Sequence, residues 1–273
     1  MQSGKHGATQ REAILRTGDT VSISAVVITY NEEANIERCL AGLAFADEIV
    51  VLDSLSTDRT VDLARHYTDR ISQREFTGYA DQKNAAMQLA SNDWVLVVDA
   101  DEVVTDQLAA EIRKAVESDA YAAYRMPRLS YFWGKPVRHC GWYPDYVVKL
   151  MRKSRARYPD RLVHETPDVD GCVGTLKSDL LHYTYRSFDE LCRKMVAYAR
   201  AAARQKLADG ERFRLRKMLF APGLMFLKKY IIKQGFRDGL RGFVICAMTQ
   251  VGVFLRYAML WEMSVCKERD CHE

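Results

Sequence analysis

The chain has 273 residues, 48% of them hydrophobic and 28% charged, with a net charge of only +4. That length carries one large α/β domain with an appendage, or two small domains, and the near-balanced charge gives no footing for a nucleic-acid partner. Seven cysteines lie at scattered positions with no C-x-x-C pair, which argues against a disulfide framework or a zinc knuckle and for a reducing compartment.

Residues 1–20 (MQSGKHGATQREAILRTGDT) are polar and lack an apolar leader segment, so they read as a flexible arm with no secretory signal. VSISAVVITY follows, β-branched and apolar, which predicts a buried strand. In NEEANIERCLAGL, Asn31 is placed to cap a helix whose apolar face holds Ile36, Leu40 and Leu43. EIVVLD predicts a second strand, and STDRTVDLARHY a second helix with Ser56 or Thr57 as its cap. RISQREF is a third, more polar strand, followed by the helix GYADQKNAAMQLA. DWVLVVDADE is a fourth strand, and TDQLAAEIRKAVE a helix capped by Thr105. Strand–helix alternation of this kind implies a parallel sheet covered on both faces. Ligands of such sheets bind at the carboxyl ends of the strands, here the loops after Tyr30, Asp53 and Asp101. No G-x-G-x-x-G or P-loop pattern follows the first strand.

From about Tyr121 the alternation stops. AAYRMPRLSYFWG, YVVKLMR and LLHYTY predict further strands, joined by the loop KPVRHCGWYPD and by RYPDRLVHETPD. Ser187, with Glu190 completing S-F-D-E, opens a long helix, and two more helical stretches follow. MLFAPGLMFLKKYIIKQGFRDGLRGF mixes apolar bulk with Lys217, Lys228, Lys229, Lys233, Arg237 and Arg241, the composition of a helix lying in an anionic bilayer interface. Packing of these helices on each other or on the preceding domain explains the same pattern, and dimerisation through them is a third reading. GFVICAMTQVGVFL is too short to span a bilayer, and Arg256 is expected to end it.

The acidic tip of WVLVVDADE carries the chemistry. Asp99 and Asp101 stand one residue apart with no lysine or arginine beside them in sequence. Crowded carboxylates repel, and a bound divalent cation removes that cost. Magnesium typically takes one or two protein carboxylates, with phosphate oxygens and water completing its shell, so D-x-D at a strand end suits a metal shared with a diphosphate.

SISAVVITYNEEANIERCL, EIVVLDSLSTDRTVDLA and QKNAAMQLASNDWVLVVDADE, followed by GWYPD and VHE, resemble the inverting family 2 glycosyltransferases of GT-A fold. The branch resembled is that of the lipopolysaccharide core β-1,4-glucosyltransferases. The resemblance covers residues 22–165 closely and the tail more loosely. It implies a GT-A-type nucleotide-binding α/β sandwich with a mainly parallel central sheet over residues 21–185, and a helical, membrane-associated region over 186–273. Thr29, Tyr30, Asn31 and Glu32 would line the nucleotide pocket, and Asp53 would meet the uracil or ribose. Lys83 would approach the diphosphate, Asp99 would contact ribose or metal, and Asp101 would be the main ligand of Mg2+ or Mn2+. Glu165 is the first candidate for the general base and is equally readable as a loop ion pair with Arg161. Asp145 is the second candidate, and His164 would position the diphosphate or orient Glu165. The family usually has Gly where Leu55 stands, so a left-handed backbone there would strain this chain.

The implied activity is metal-dependent transfer of a hexose, with glucose expected, from a UDP-hexose to a lipid-linked saccharide such as lipopolysaccharide inner core. The implied place is the cytoplasm, against the inner face of the cytoplasmic membrane. Two other readings stay open on sequence. D-A-D-E-V also fits the D-x-D-x-[TV] nucleophile motif of haloacid-dehalogenase-type phosphatases, and a non-catalytic nucleotide-sugar-binding adaptor would keep the pocket without the base.

Overall fold

The computed structural model describes residues 21–159, 166–185 and 187–270. The arm over residues 1–20 and the candidates His164 and Glu165 lie outside the described residues.

The first half alternates as the hydrophobic pattern predicts. Strand β1 (Ile23–Thr29) is buried at every position, and helix α1 (Ile36–Ala41) follows it. Then come β2 (Glu48–Asp53), α2 (Thr60–Ala64), β3 (Ile71–Gln73), α3 (Tyr79–Leu89) and β4 (Trp94–Asp99). The acidic run does not stay in one strand. It turns at Ala100 and Asp101, and Glu102 begins a separate short strand, β5 (Glu102–Val104), before α4 (Asp106–Ser118). The later strands are β6 (Ala123–Phe132), β7 (Lys135–Pro136), β8 (Asp145–Arg152), β9 (Ala156–Arg157), β10 (Asp168–Val169), β11 (Val173–Thr175) and β12 (Leu180–Tyr185).

The main sheet runs β3-β2-β1-β4-β8-β6-β12-β5. Its first four strands are parallel. β8 is antiparallel to β4 and β6, β12 is parallel to β6, and β5 is antiparallel to β12. Strand order reverses beside β1, where a doubly wound sheet opens its ligand crevice. Trp94, Leu96 and Val98 point to one face with α1 and α4, and Val95 and Val97 point to the other with α3. The period-2 alternation of a strand thus fills two cores at once. Gly42 lets the end of α1 press on β5, since a Cβ there would lie 2.7 Å from the Val104 carbonyl oxygen.

Two expected caps are realised: Thr105 accepts from Leu108 N–H, and Ser187 from Glu190 N–H. Two are corrected. Asn35, not Asn31, precedes α1, and Arg59, not Ser56 or Thr57, precedes α2. Asn31 takes a left-handed turn (φ 53°), which asparagine tolerates better than most residues. The hydroxyls and carboxylates of D-S-L-S-T-D-R-T staple two loops together instead. Asn31 N–H donates to Ser56 Oγ, Glu32 N–H to Thr60 Oγ1, and Thr57 N–H to Asn31 Oδ1. Short polar side chains serve either purpose, and tertiary contact chose between them.

Three helices complete the chain: α5 (Phe188–Ala208), α6 (Leu215–Leu227) and α7 (Gly239–Asp270), with a π turn over Lys228–Ile232 and a 3-10 turn over Gly235–Asp238 between the last two. α7 bears out the last helical stretch and corrects only the apolar length expected of it. It passes through Arg256, whose guanidinium lies 5.4 Å from the Tyr257 ring, and continues to Asp270. By length and composition alone, Gly235–Val265 is therefore enough to cross a membrane. In this fold α7 packs against α5 and α6 through Val253, Tyr257 and Leu260.

Candidate active site

The sheet register builds the site. Thr29 pairs with Asp53, and Ile28 with Asp99, so three strand ends carrying polar groups align at one edge. Thr29 is buried, and its hydroxyl has no hydrogen-bond partner among the described residues. Tyr30 is exposed just beyond it, and Glu32 accepts from Asn35 Nδ2. Asp53 is fully buried. It accepts from Ser56 N–H, Ser56 Oγ and Gln73 Nε2, and so fixes the loop that follows β2. Leu55, on that loop, takes φ 62° and is half exposed: the strained conformation expected from the missing glycine is present.

The acidic tip is not free of cations. Lys149, from the middle of β8, places Nζ 2.7 Å from Asp99 Oδ2 and 2.6 Å from Glu102 Oε2. Lys83 Nζ lies 3.4 Å from Asp99 Oδ1, and Arg128 Nη1 lies 3.5 Å from Glu102 Oε1. The premise that these acids stand uncompensated is thereby corrected for Asp99 and Glu102. Burial alone would raise the Asp99 pKa, but Lys149 and Lys83 outweigh it and hold the carboxyl well below its usual range. Burial likewise works against the Lys149 ammonium, and Asp99 and Glu102 overcome it, raising its pKa. The Tyr158 hydroxyl, sealed beside both lysines, is pushed by burial up to about 12. Asn84 clamps the Tyr158 backbone, accepting from its N–H and donating to its carbonyl.

Asp101 sits apart, in the turn between β4 and β5. Its Oδ2 faces His182 Nε2 at 3.4 Å, brought there by the pairing of β12 with β5. His182 Nδ1 is 3.2 Å from Ser130 Oγ. A proton on Nδ1 donated to that hydroxyl leaves the Nε2 lone pair directed at the Asp101 side. One carboxylate and one imidazole therefore fit a divalent ion there, whereas Asp99 is committed to two ammonium groups. Among the described residues, no group of three or more His, Cys, Asp or Glu side chains is arranged to hold a metal.

Asp145 opens β8, and its Oδ2 accepts from Arg128 Nε and Nη2 at 3.0 and 2.7 Å. Lys83, Asp99, Lys149, Glu102, Arg128 and Asp145 thus form one alternating chain of charge across the sheet edge. Trp142 packs on Phe132 and Tyr185, and Tyr143 donates to Asp179. Sequence reading missed Lys149, Glu102, Arg128 and His182. The signal for Lys149 was a lone cation inside the apolar run YVVKLMR.

A family model described as Glycosyl transferase family 2 matches residues 24–184. The chain is 32% identical over 260 residues to "Lipopolysaccharide core biosynthesis glycosyltransferase LpsC" of Rhizobium meliloti (strain 1021), a match covering 90% of this chain and 94% of the relative. It is 30% identical over 256 residues to an uncharacterized glycosyltransferase of Rickettsia typhi, covering 89% and 88%. Among solved structures, S. aureus TarS 1-349 in complex with UDP-GlcNAc overlays with a TM-score of 0.48 at 15% identity, over 86% of this chain and 82% of that one.

Proposed function

The chain belongs to glycosyl transferase family 2, and from that premise we propose that it moves a hexose from a UDP-hexose to a lipid-linked saccharide of the lipopolysaccharide core type, inverting the anomeric centre. The acceptor class is suggested by the name of the Rhizobium relative, which is matched over nearly its whole length. One observation supports the reading most: the register that aligns Thr29, Asp53 and Asp99 also sets the Asp101–His182 pair just beyond them.

In this reading Asp101 and His182 hold Mg2+ or Mn2+, and the ion supplies Lewis-acid stabilisation of the departing diphosphate. Lys83, between the Asp99 carboxylate and the ring of Tyr158, adds a positive charge on the diphosphate side. The general base must act from the opposite face of the sugar. We retain Glu165 for that task. Asp145, gripped twice through one oxygen, is better suited to fixing Arg128 and with it Glu102. The phosphatase reading falls with the family membership, because its nucleophile would be Asp99, here locked between two lysines.

The same proposal places the enzyme on the inner face of the cytoplasmic membrane. Leu219, Phe220, Leu224, Ile231 and Ile232 on α6 and the turn after it, and Leu240 at the start of α7, are exposed beside exposed Lys228, Lys233 and Arg237. Apolar side chains rimmed by cations suit an anionic interface. The test is incubation of the full chain with UDP-glucose, Mg2+ and core-truncated lipopolysaccharide. One added hexose of inverted configuration is expected. UDP binding without transfer from any UDP-hexose would identify a non-catalytic adaptor instead.

A further inference from the structure

α5 and α7 leave a groove between them, a cavity of about 320 Å3. That volume lies at the small end of ligand sites, which run from about 300 to 1,000 Å3. Its floor is apolar: Met195 on α5 faces Met248 and Gly252 on α7. Gly252 leaves room beside Met195, since a Cβ there would come within 3.3 Å of Met195 Cγ. Trp142 and Tyr185, from the loop before β8 and the end of β12, line the end near the sheet. At the other end, eleven residues (about 16 Å at 1.5 Å per residue) further along α7 than Ile245, stands Arg256.

Arg256 is the anomaly. Its Nε is buried and has no hydrogen-bond partner among the described residues, and its guanidinium rests against the ring of Tyr257. Two nearby acids are held by lysines: Glu190 by Lys194 at 2.8 Å, and Glu211 by Lys206 and Lys217. A buried donor without an acceptor is costly, more so when it belongs to a charged group. An apolar channel that ends on such a cation is complementary to an amphiphile with an alkyl chain and an anionic head.

We propose that this groove holds the acyl chain of an anionic membrane lipid, with the chain end toward Trp142 and Tyr185 and the headgroup oxygens on Arg256. The site is distinct from the donor pocket and from the exposed face of α6, and it needs no donor to be tested. Occupancy would tie α5 and α7 to the loop that leads into Asp145, so that loop would feel the membrane.

The test titrates the full chain with ω-bromododecanoate below its micellar concentration and follows tryptophan fluorescence, because bromine quenches only at contact. Saturable quenching is expected, lost in Trp142→Phe. Dodecyl phosphate should displace the probe, and dodecyltrimethylammonium should not. Arg256→Gln should weaken binding about tenfold, the equivalent of one charge-assisted hydrogen bond. Ala202→Phe, which fills the groove, should weaken it by about tenfold or more. Quenching that does not saturate, that survives Trp142→Phe, or that the cationic amphiphile displaces equally well would overturn the proposal. The wild-type competition decides the matter even if the filling variant fails to fold.

Discussion

Replacing Lys149 with methionine keeps the length and apolar stem of the side chain and removes its charge. Two carboxylates then lose their nearest partner, Asp99 at 2.7 Å and Glu102 at 2.6 Å, and Glu102 has no exposed surface to rehydrate. Breaking a buried ion pair by removing one partner costs about 3–5 kcal/mol. Lys83 and Arg128 remain at 3.4 and 3.5 Å and recover part of this, so the lower end, about 3 kcal/mol, is expected. At about 2.1 cal/mol/K of unfolding entropy per residue, the 273 residues convert that to a fall in Tm of about 5 °C. The loss depends on pH. In the wild type the depressed Asp99 pKa contributes stability that is full above its unfolded pKa and is lost as pH falls toward the folded value. In the variant Asp99 can protonate more readily, so the gap between the two proteins should narrow below about pH 4. Thermal and urea melts across pH 3.5–7.5 measure this, and the double variant Lys149→Met/Glu102→Gln should recover much of the loss. A deficit under about 1 kcal/mol at pH 7 would refute the view that the cluster is a coupled buried network.

Leu55→Gly should raise stability by about 1 kcal/mol, because it relieves a left-handed backbone at a side chain already half exposed; an unchanged or lower melting point would show that the turn carries no strain. Tyr158 has a folded pKa of about 12, so its contribution is intact below its unfolded value near 10 and is lost as pH rises from there toward 12. Two pKa units correspond to about 3 kcal/mol, and Tyr158→Phe should abolish that part of the alkaline decline; parallel curves for the two proteins would show that the burial is not felt. Phe220→Glu/Leu224→Glu should cut sedimentation with anionic vesicles about a hundredfold, since each apolar side chain contributes about 1.5 kcal/mol or more on burial; unchanged sedimentation would remove α6 from the membrane contact.

Local pattern carried the first half of the fold. The continuous apolar runs of β1 and β4 could only be buried strands, and Thr105 and Ser187 announced their helices. The strand-end position of Thr29, Asp53 and Asp99 followed from the alternation. What local pattern could not carry was pairing across the chain. Lys149 reaches Asp99 from 50 residues away because β8 runs antiparallel beside β4, and His182 reaches Asp101 because β12 pairs with β5. Nothing within a strand's own sequence names its neighbour, so the acids looked unpaired when two of them were not. The Asn31 and Ser56 assignments failed for a related reason: an Asx or Ser side chain satisfies a backbone N–H equally well at a helix start or across two loops, and only the fold decides. The apolar run GFVICAMTQVGVFL looked closed by Arg256; that guanidinium lies against an aromatic face, and the apolar stretch of α7 continues beyond it.

The proposal that Asp101 and His182 hold the divalent ion at a diphosphate is tested most directly by the electron paramagnetic resonance of Mn2+ titrated into the full chain with and without UDP. Bound Mn2+ whose affinity rises when UDP is present is expected for the wild type, with both signals lost in Asp101→Asn and strongly weakened in His182→Gln. Mn2+ and UDP that bind these variants as tightly as the wild type would mean that the metal and the nucleotide sit elsewhere.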